Sequence, residues 1–144
     1  MLSILTDINV LVEAAMPGAP KQQATQRWLV DRLIGSTPFN VYEPILASFV
    51  RIVTLPVYQA KDDNLGLAMQ FAEGVRSAPA ARLVTPSAKH WAIFRGLMET
   101  HGVRGKRTSD AYLAALAIDL DATFYSFDKG FANYPGLKWR LPEI

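Results

Sequence analysis

Three aspartates occupy positions from which their carboxylates could act together. Asp7 follows an apolar run, Leu2–Thr6, that reads as a buried strand, and Asp128 follows a β-branched and aromatic run, Thr123–Phe127. Asp110 opens a segment rich in Ala and Leu, the strongest helix formers. Converging carboxylates repel one another unless a cation neutralises them, and hard oxygen ligands suit Mg²⁺ or Mn²⁺. The pattern predicts a divalent-metal site for phosphodiester chemistry, with the three aspartates as ligands and catalytic groups.

A helix followed by a strand would bring two of these acids to one edge of the fold. Thr108 and Ser109 are favourable N-cap residues, which predicts that the helix begins there. Ten helical residues span roughly 15 Å and six strand residues roughly 20 Å, so the chain runs down the helix and returns along the strand. Asp110 and Asp128 then meet at the carboxyl ends of the strands, where sites form in parallel sheets and where Asp7 also lies.

Strands alternate with helices along the rest of the chain, which favours an α/β fold with a parallel sheet. We expect one domain over residues 1–144, with the aromatic side chains of Trp28, Trp91 and Phe94 in its core. The predicted helices are Asp7–Ala15, Lys21–Ile34, Pro44–Thr54, Asn64–Ser77 and Ser87–His101. The predicted further strands are Phe39–Tyr42, Arg82–Thr85 and a short edge strand around Trp139.

The composition excludes several classes of protein. Half of the residues are hydrophobic, which is enough for a core at this length, and the absence of cysteine excludes a disulfide scaffold and thiolate metal sites. His90 and His101 lack the spacing of zinc ligands. No apolar run is long enough to span a membrane and no leader-like segment precedes Asp7, so a soluble cytoplasmic protein is expected. The net charge of +2 is weak support for a nucleic-acid partner.

Several segments, in order, resemble the PIN domain family, and more closely the VapC-type ribonuclease toxins of bacterial toxin–antitoxin pairs. The segments are TDINVLVEA, SDAYLAALA and YSFDKGF, together with SFVRIVTLP, RLVTPSAKHWAIFRGL and FANYPGLKW. The resemblance implies a three-layer α/β/α sandwich around a parallel sheet and RNA cleavage that depends on Mg²⁺ or Mn²⁺. It also implies a homodimer that assembles with a small VapB-like antitoxin covering the site.

The resemblance places the family's acids on Asp7, Asp110 and Asp128, with two departures. Many relatives carry a glutamate on the second main helix where this chain has Ser48, and a second late acid where it has Gly130. We expect three aspartates and water to suffice, because Mg²⁺ commonly keeps several waters.

Other polar residues near the three acids are candidates for supporting roles. Asn9 and Ser126 are expected to hold hydrogen bonds around the metal ligands, and Thr6 and Ser109 are weaker candidates for the same role. Each aspartate also has an ordinary structural interpretation: Asp7 as a helix N-cap, Asp110 as a first-turn acid and Asp128 as a turn residue.

Four basic residues are candidates for contacts with RNA. Arg51 lies on an otherwise apolar helix, where it either faces the phosphate backbone or forms a structural ion pair. Arg104, Lys106 and Arg107 precede Asp110 and either steer RNA toward the metal or belong to a solvated loop.

Two other functions fit parts of this pattern. A non-catalytic RNA- or protein-binding module on the same fold is suggested by Ser48 and Gly130, since fold does not fix function. A phosphatase with an aspartyl nucleophile also begins with an acid after a strand, but Asn9 stands where that class needs its second aspartate. The RNA target, the cognate antitoxin and the choice between Mg²⁺ and Mn²⁺ are not legible in the sequence.

Overall fold

A sheet of five short parallel strands forms the centre of the molecule in the computed structural model, which describes residues 2–58 and 64–144. Its strand order is β3-β2-β1-β4-β5. The strands are β1 (Ile4–Thr6), β2 (Phe39–Val41), β3 (Ala81–Leu83), β4 (Thr123–Tyr125) and β5 (Lys138–Arg140). The parallel sheet and the edge strand around Trp139 are as predicted.

In the part of the chain that the structure describes, six α-helices connect the strands and cover the sheet. They are α1 (Ile8–Ala15), α2 (Gln22–Leu33), α3 (Glu43–Val53), α4 (Leu65–Arg76), α5 (His90–His101) and α6 (Arg107–Asp119). Helix α1 packs on α2 and α3, α3 packs on α4, and α5 packs on α6. Right-handed crossovers place α1 to α4 on one face of the sheet and α5 with α6 on the other. The predicted α/β/α sandwich is confirmed. No helix in the described ranges is both long and apolar enough to cross a membrane.

The order of the strands reverses at β1. The chain moves from β1 to β2 and β3 on one side, then returns to β4 on the other side of β1. Strand β1 pairs with β4 in the register Ile4 with Thr123 and Thr6 with Tyr125. In open α/β sheets, ligands bind outside the carboxyl ends of the strands at such a reversal. The residues that follow β1 and β4 are Asp7 and Ser126, so this crevice is where the predicted acids lie.

The core holds the elements of this crevice rigidly. All three residues of β1 are buried, and α6 is buried at almost every position from Ala111 to Ala117. Small alanine side chains let α6 lie close against the sheet, with Phe124 of β4 fully buried.

Several element boundaries differ from the sequence predictions, including the starts of α5 and α6 and the ends of β3 and β4. Helix α6 begins at Arg107, because turns closed by the Arg104 and Gly105 carbonyls lead directly into it, so Thr108 and Ser109 lie inside its first turn and are not caps. The β4 strand ends at Tyr125, since the Phe127 amide bonds Asn9 Oδ1 instead of a strand.

One of the three aromatic residues predicted to lie in the core is exposed instead. Trp28 is buried and Phe94 half-buried, as expected of core residues. The expectation for Trp91 is wrong, because 65% of this residue is exposed on the outer face of α5, with its ring against that of Phe94.

Candidate active site

Asp7 lies at the junction between β1 and α1, where its backbone and side chain are both fixed. Its amide donates to the Tyr125 carbonyl at 2.8 Å, which continues the pairing with β4. It is the N-cap of α1, with Oδ1 accepting from the Ile8 amide at 2.7 Å. Only 8% of Asp7 is exposed. The interpretation of Asp7 as a helix N-cap is therefore correct, but it accounts for only one of the two carboxylate oxygens.

That second oxygen belongs to a buried hydrogen-bond network centred on Ser126. The Ser126 hydroxyl donates to Asp7 Oδ2 at 2.7 Å and accepts from Asn9 Nδ2 at 3.1 Å and from the Asp128 amide at 3.0 Å. Asn9 Oδ1 accepts from the Phe127 amide at 3.2 Å. These contacts join the start of α1 to the segment after β4, so Asn9 and Ser126 orient both Asp7 and the loop that carries Asp128.

Asp128 is exposed and begins a short 3₁₀ helix, Lys129–Asn133. Its Oδ1 accepts from the Gly130 amide at 2.8 Å, which is the turn role expected of an aspartate at this position. One carboxylate oxygen is used by the turn, and the side chain is held in place without being buried.

Asp110 is half-buried in the first turn of α6, a helix in the long connection between β3 and β4. Burial raises the pKa of its carboxyl, and the charge of Asp128 raises it further, while Arg107 partly opposes both. The pKa of Asp7 is also raised, first by burial and then by the charges of Asp110 and Asp128, against the hydrogen bonds from Ser126 and Ile8. The three acids predicted from the sequence therefore share one electrostatic environment.

The donor set fits a hard divalent cation better than any other metal. All donors are carboxylate oxygens, and burial together with neighbouring negative charge raises the pKa values of Asp7 and Asp110. Within residues 2–58 and 64–144, no group of three or more His, Cys, Asp or Glu side chains lies close enough together to hold a metal ion as it stands. The arrangement suits an ion such as Mg²⁺, which keeps part of its water shell.

Arg107 occupies the space beside these acids, which the sequence did not indicate. A Cβ built on Gly130 would lie 2.6 Å from Arg107 Nη2 and 3.0 Å from Asp128 Oδ1. The charge of Arg107 also lowers the pKa of the buried Tyr134 hydroxyl, although burial raises that pKa overall. All three basic residues before Asp110 are exposed, but only the Arg107 guanidinium lies beside the acids, whereas Arg104 and Lys106 belong to the preceding loop. Sequence spacing could not separate them, because the separation depends on where α6 starts.

Helix α3 contributes none of its polar side chains to the acid cluster. Glu43 pairs with Arg76 of α4 at 2.8 Å, with 63% of its side chain exposed. Ser48 lines a cleft with Tyr42 and Tyr112. Arg51 is exposed in the last turn, outside the ion pairs formed among the described residues. Of the two weaker candidates, Thr6 is buried and Ser109 is exposed.

A family model and individual relatives of known name both match nearly the whole chain. The PIN domain model matches residues 4–137. VapC ribonuclease Mb2897 of Mycobacterium bovis is 34% identical over 140 residues, covering 96% of this chain and 95% of the relative. Ribonuclease VapC33 of Mycobacterium tuberculosis is 32% identical over 139 residues, covering 96% of this chain and 97% of the relative.

The fold is also found among solved structures of low sequence identity. The crystal structure of VapBC2 from Rickettsia felis, bound to a DNA fragment from their promoter, superposes with a TM-score of 0.69 at 17% identity and 98% coverage of both chains.

Proposed function

Because the chain belongs to the PIN domain family, and within it to the VapC ribonucleases, we propose that it is an endoribonuclease toxin whose site is formed by Asp7, Asp110 and Asp128. One observation supports the assignment of the site to these three residues. Asp7 lies more than a hundred positions from Asp110 and Asp128 in the sequence, yet the charges of both add to burial in raising its pKa, and the charge of Asp128 adds to burial in raising the pKa of Asp110. Nothing in the folding of β1, α6 or β4 requires that charge to be concentrated there.

The three aspartates would hold Mg²⁺ or Mn²⁺ at this site. A divalent cation, when bound, activates water and neutralises charge on the scissile phosphate. The chain itself supplies the positioning: Ser126 and Asn9 fix Asp7, and the turn at Gly130 fixes Asp128. Asp110, on the rigid α6, faces them from the far side of the crevice.

Basic residues at the edge of the site are suited to the RNA backbone. Arg104 and Lys106 are exposed on the loop that leads into α6, six and four residues before Asp110 in the sequence. Such charges attract phosphates and displace counterions when RNA binds. Arg51 is exposed on α3 and would contact the backbone farther from the acids.

A VapB-like antitoxin is the protein partner. The Rickettsia felis neighbour is a VapBC complex, and VapBC-1 of nontypeable Haemophilus influenzae shares the fold with a TM-score of 0.63. We propose that the antitoxin covers the aspartate crevice and that the toxin is a cytoplasmic homodimer, with residues 1–144 forming one PIN-like domain.

A non-catalytic binding module is the second candidate. It is favoured by the incomplete preassembled ligand set, by Gly130 in place of an acid and by the cation of Arg107 among the carboxylates. Such a module would bind RNA without cleaving it.

Cleavage of RNA by the purified protein separates the two candidates. We expect cleavage that stops with a chelator and returns with Mg²⁺ or Mn²⁺, and that is suppressed when the antitoxin is added. Glu99→Gln is a suitable control, because Glu99 pairs with Arg95 on the exposed face of α5. Binding of RNA without any metal-restored cleavage would support the binding module instead.

A further inference from the structure

A second feature lies where the starts of α1, α3 and α6 meet. It is a cleft of about 330 Å³, here called the tyrosine cleft. Its lining comes from the start of α1, the start of α3 and the first two turns of α6; the residues that matter for the argument are Tyr42, Ile45, Ser48, Thr108, Ser109 and Tyr112. Ile8 and Ser109, which also line it, are the direct chain neighbours of Asp7 and Asp110. Two of its lining residues are thus adjacent in the sequence to acids of the site, although no acid lines the cleft itself.

Helical spacing explains why the cleft and the acids are adjacent but separate. Thr108 and Tyr112 are four residues apart on α6, so they share a face. Asp110 lies between them in sequence and is rotated onto another face. Ile45 and Ser48 are three apart on α3 and form the opposite wall. The first turns of α6 therefore carry the Asp110 carboxylate on one face, and the Thr108 hydroxyl and the Tyr112 ring on the neighbouring face.

Contacts with the His90 and Phe94 rings hold the Tyr112 side of the cleft in place. Its ring meets the His90 ring edge-on at 4.3 Å between centroids and the Phe94 ring at 5.4 Å. His90 Nε2 lies 3.0 Å from the Tyr112 carbonyl oxygen, and His90 is buried. Aromatic rings fixed in this way offer a preformed surface with little ordering cost on binding.

The lining is largely apolar and carries hydroxyl groups but no charge. Hydroxyl groups come from serine, threonine and tyrosine, and no Asp, Glu, Lys, Arg or His lines the cleft. Burial raises the pKa of Tyr42 to about 12, and a hydrogen bond with Tyr112 adds to the effect, so the Tyr42 hydroxyl stays neutral. A cleft with these walls suits a neutral, flat group with donors and acceptors. It does not suit a phosphate or an acidic peptide.

We propose that the tyrosine cleft holds one unpaired base of the RNA, next to the phosphate that is cleaved at the aspartates. This inference rests on the proposed function. Unpaired bases are recognised by stacking on aromatic side chains and by hydrogen bonds to their edges. The volume is near the lower end of the range for small-molecule pockets, about 300–1,000 Å³, which fits one nucleotide and not a folded partner. Ser48 leaves this space open, because its side chain is short.

Removing single bases from a substrate tests the proposal. An RNA cleaved by the wild-type protein is synthesised with one abasic nucleotide at each position near the cleaved bond. We expect kcat/KM to fall about 5- to 150-fold at one position, which is the value of one base–aromatic stack. Ser48→Trp fills the cleft, so it should cleave the intact and the abasic RNA at the same reduced rate.

Matched variants separate the cleft from general damage. Ala47→Trp adds the same ring on the exposed side of α3 and should keep the wild-type profile. Tyr42→Phe and Tyr112→Phe keep the rings, so they should retain the abasic penalty and lose discrimination between bases. A flat abasic profile in the wild type, or wild-type cleavage by a folded Ser48→Trp, would overturn the proposal. So would a Ser48→Trp variant that only escapes antitoxin inhibition, since the cleft would then be a protein-docking site.

A binding measurement keeps this inference separable from the proposed function. Nucleoside 5′-monophosphates and ribose 5-phosphate, which lacks the base, are titrated in chelator and followed by the amide NMR signals of Ser48 and Tyr112. Shifts with the nucleotides alone support the cleft as a base site even if no RNA is cleaved. Equal shifts with both probes, or none with either, contradict it whatever the cleavage assay shows.

Discussion

Asp7 is the most buried of the three acids, and hydrogen bonds that involve Ser126 and Asn9 restrict the orientation of its side chain. Both oxygens of Asp7 accept hydrogen bonds, from Ile8 and Ser126, before any ligand arrives. The types and positions of the three aspartates could be predicted from the sequence, because each follows or opens an element. Their hydrogen bonds could be expected only in outline, since they join residues 117 and 119 positions apart.

Neutralising Asp110 should stabilise the metal-free protein while ending cleavage. Its pKa is raised above the ordinary value of 3.8, so the folded state binds the proton more tightly than the unfolded state does. Stability therefore falls as the pH rises from about 3.8 through the folded pKa. We expect Asp110→Asn to melt at a higher temperature than the wild type at pH 7 without metal, and the difference to disappear below that ordinary value. An unchanged or lower melting temperature at pH 7 would contradict the crowding of charge.

Removing the Ser126 hydroxyl should damage both stability and activity. Ser126→Ala leaves Asp7 Oδ2, Asn9 Nδ2 and the Asp128 amide without this partner, which should cost about 1–3 kcal/mol of unfolding free energy. Misplacement of Asp7 should lower cleavage about 10- to 100-fold, as for groups that orient metal ligands. Chemical denaturation and cleavage rates measure these effects. Ser77→Ala, which removes an exposed hydroxyl bonded to a helix carbonyl, is the control and should change neither value appreciably.

Adding an acid at position 130 should help only after Arg107 is removed. The new Cβ in Gly130→Asp would lie 2.6 Å from Arg107 Nη2, so the guanidinium must move, and the new carboxylate will pair with it. We expect calorimetry to show little gain in Mg²⁺ affinity for Gly130→Asp and about a tenfold gain in the Arg107→Gln background. A full gain in the single variant would show that Arg107 does not compete with the cation.

At the scale of elements, α3 and α6 show what periodicity can and cannot predict. The helical pattern identified both helices, and the apolar face of α3 is buried at Ile45, Leu46 and Phe49. The start of α6 was misplaced because its hydroxyl residues look like caps, whereas turns at Arg104 and Gly105 begin the helix earlier.

Glu43 should be dispensable for cleavage. It opens α3, but its side chain is exposed and pairs with Arg76, away from the three aspartates. Glu43→Gln should keep wild-type cleavage and metal affinity within about twofold and lower stability by less than about 1 kcal/mol, as expected for a surface ion pair. A collapse of metal affinity measured by calorimetry would identify Glu43 as a ligand.

The loop before α6 should contribute to the salt dependence of RNA binding. Arg104 and Lys106 are exposed, and each phosphate contact on a single strand adds about 0.7 to the slope of log affinity against log salt. Arg104→Gln with Lys106→Gln should therefore reduce that slope by about 1.4 in fluorescence anisotropy. The paired variant Arg27→Gln with Arg95→Gln, on α2 and α5, leaves the loop intact and is the matched control. A slope unchanged by the loop variant would assign these residues to a solvated loop.

At the scale of the molecule, the order β3-β2-β1-β4-β5 accounts for the position of the site. Alternating strands and helices predict a parallel sheet, and the family resemblance predicts the sandwich. The reversal at β1 is a long-range property that local patterns do not contain. The same is true of Arg107 among the acids and of the tyrosine cleft, which forms only where α1, α3 and α6 converge.

The central claim is that three distant aspartates form a single cleavage site. Residues that act as a unit have strongly non-additive effects, so cleavage rates of single and double variants test it most directly. Rates are measured at saturating Mg²⁺ for Asp7→Asn, Asp110→Asn and Asp128→Asn and for each pair. The account predicts a loss on the order of 100-fold or more for each single variant, and no further loss in the pairs. Near-normal cleavage by any single variant, or losses that multiply in the pairs, would contradict it.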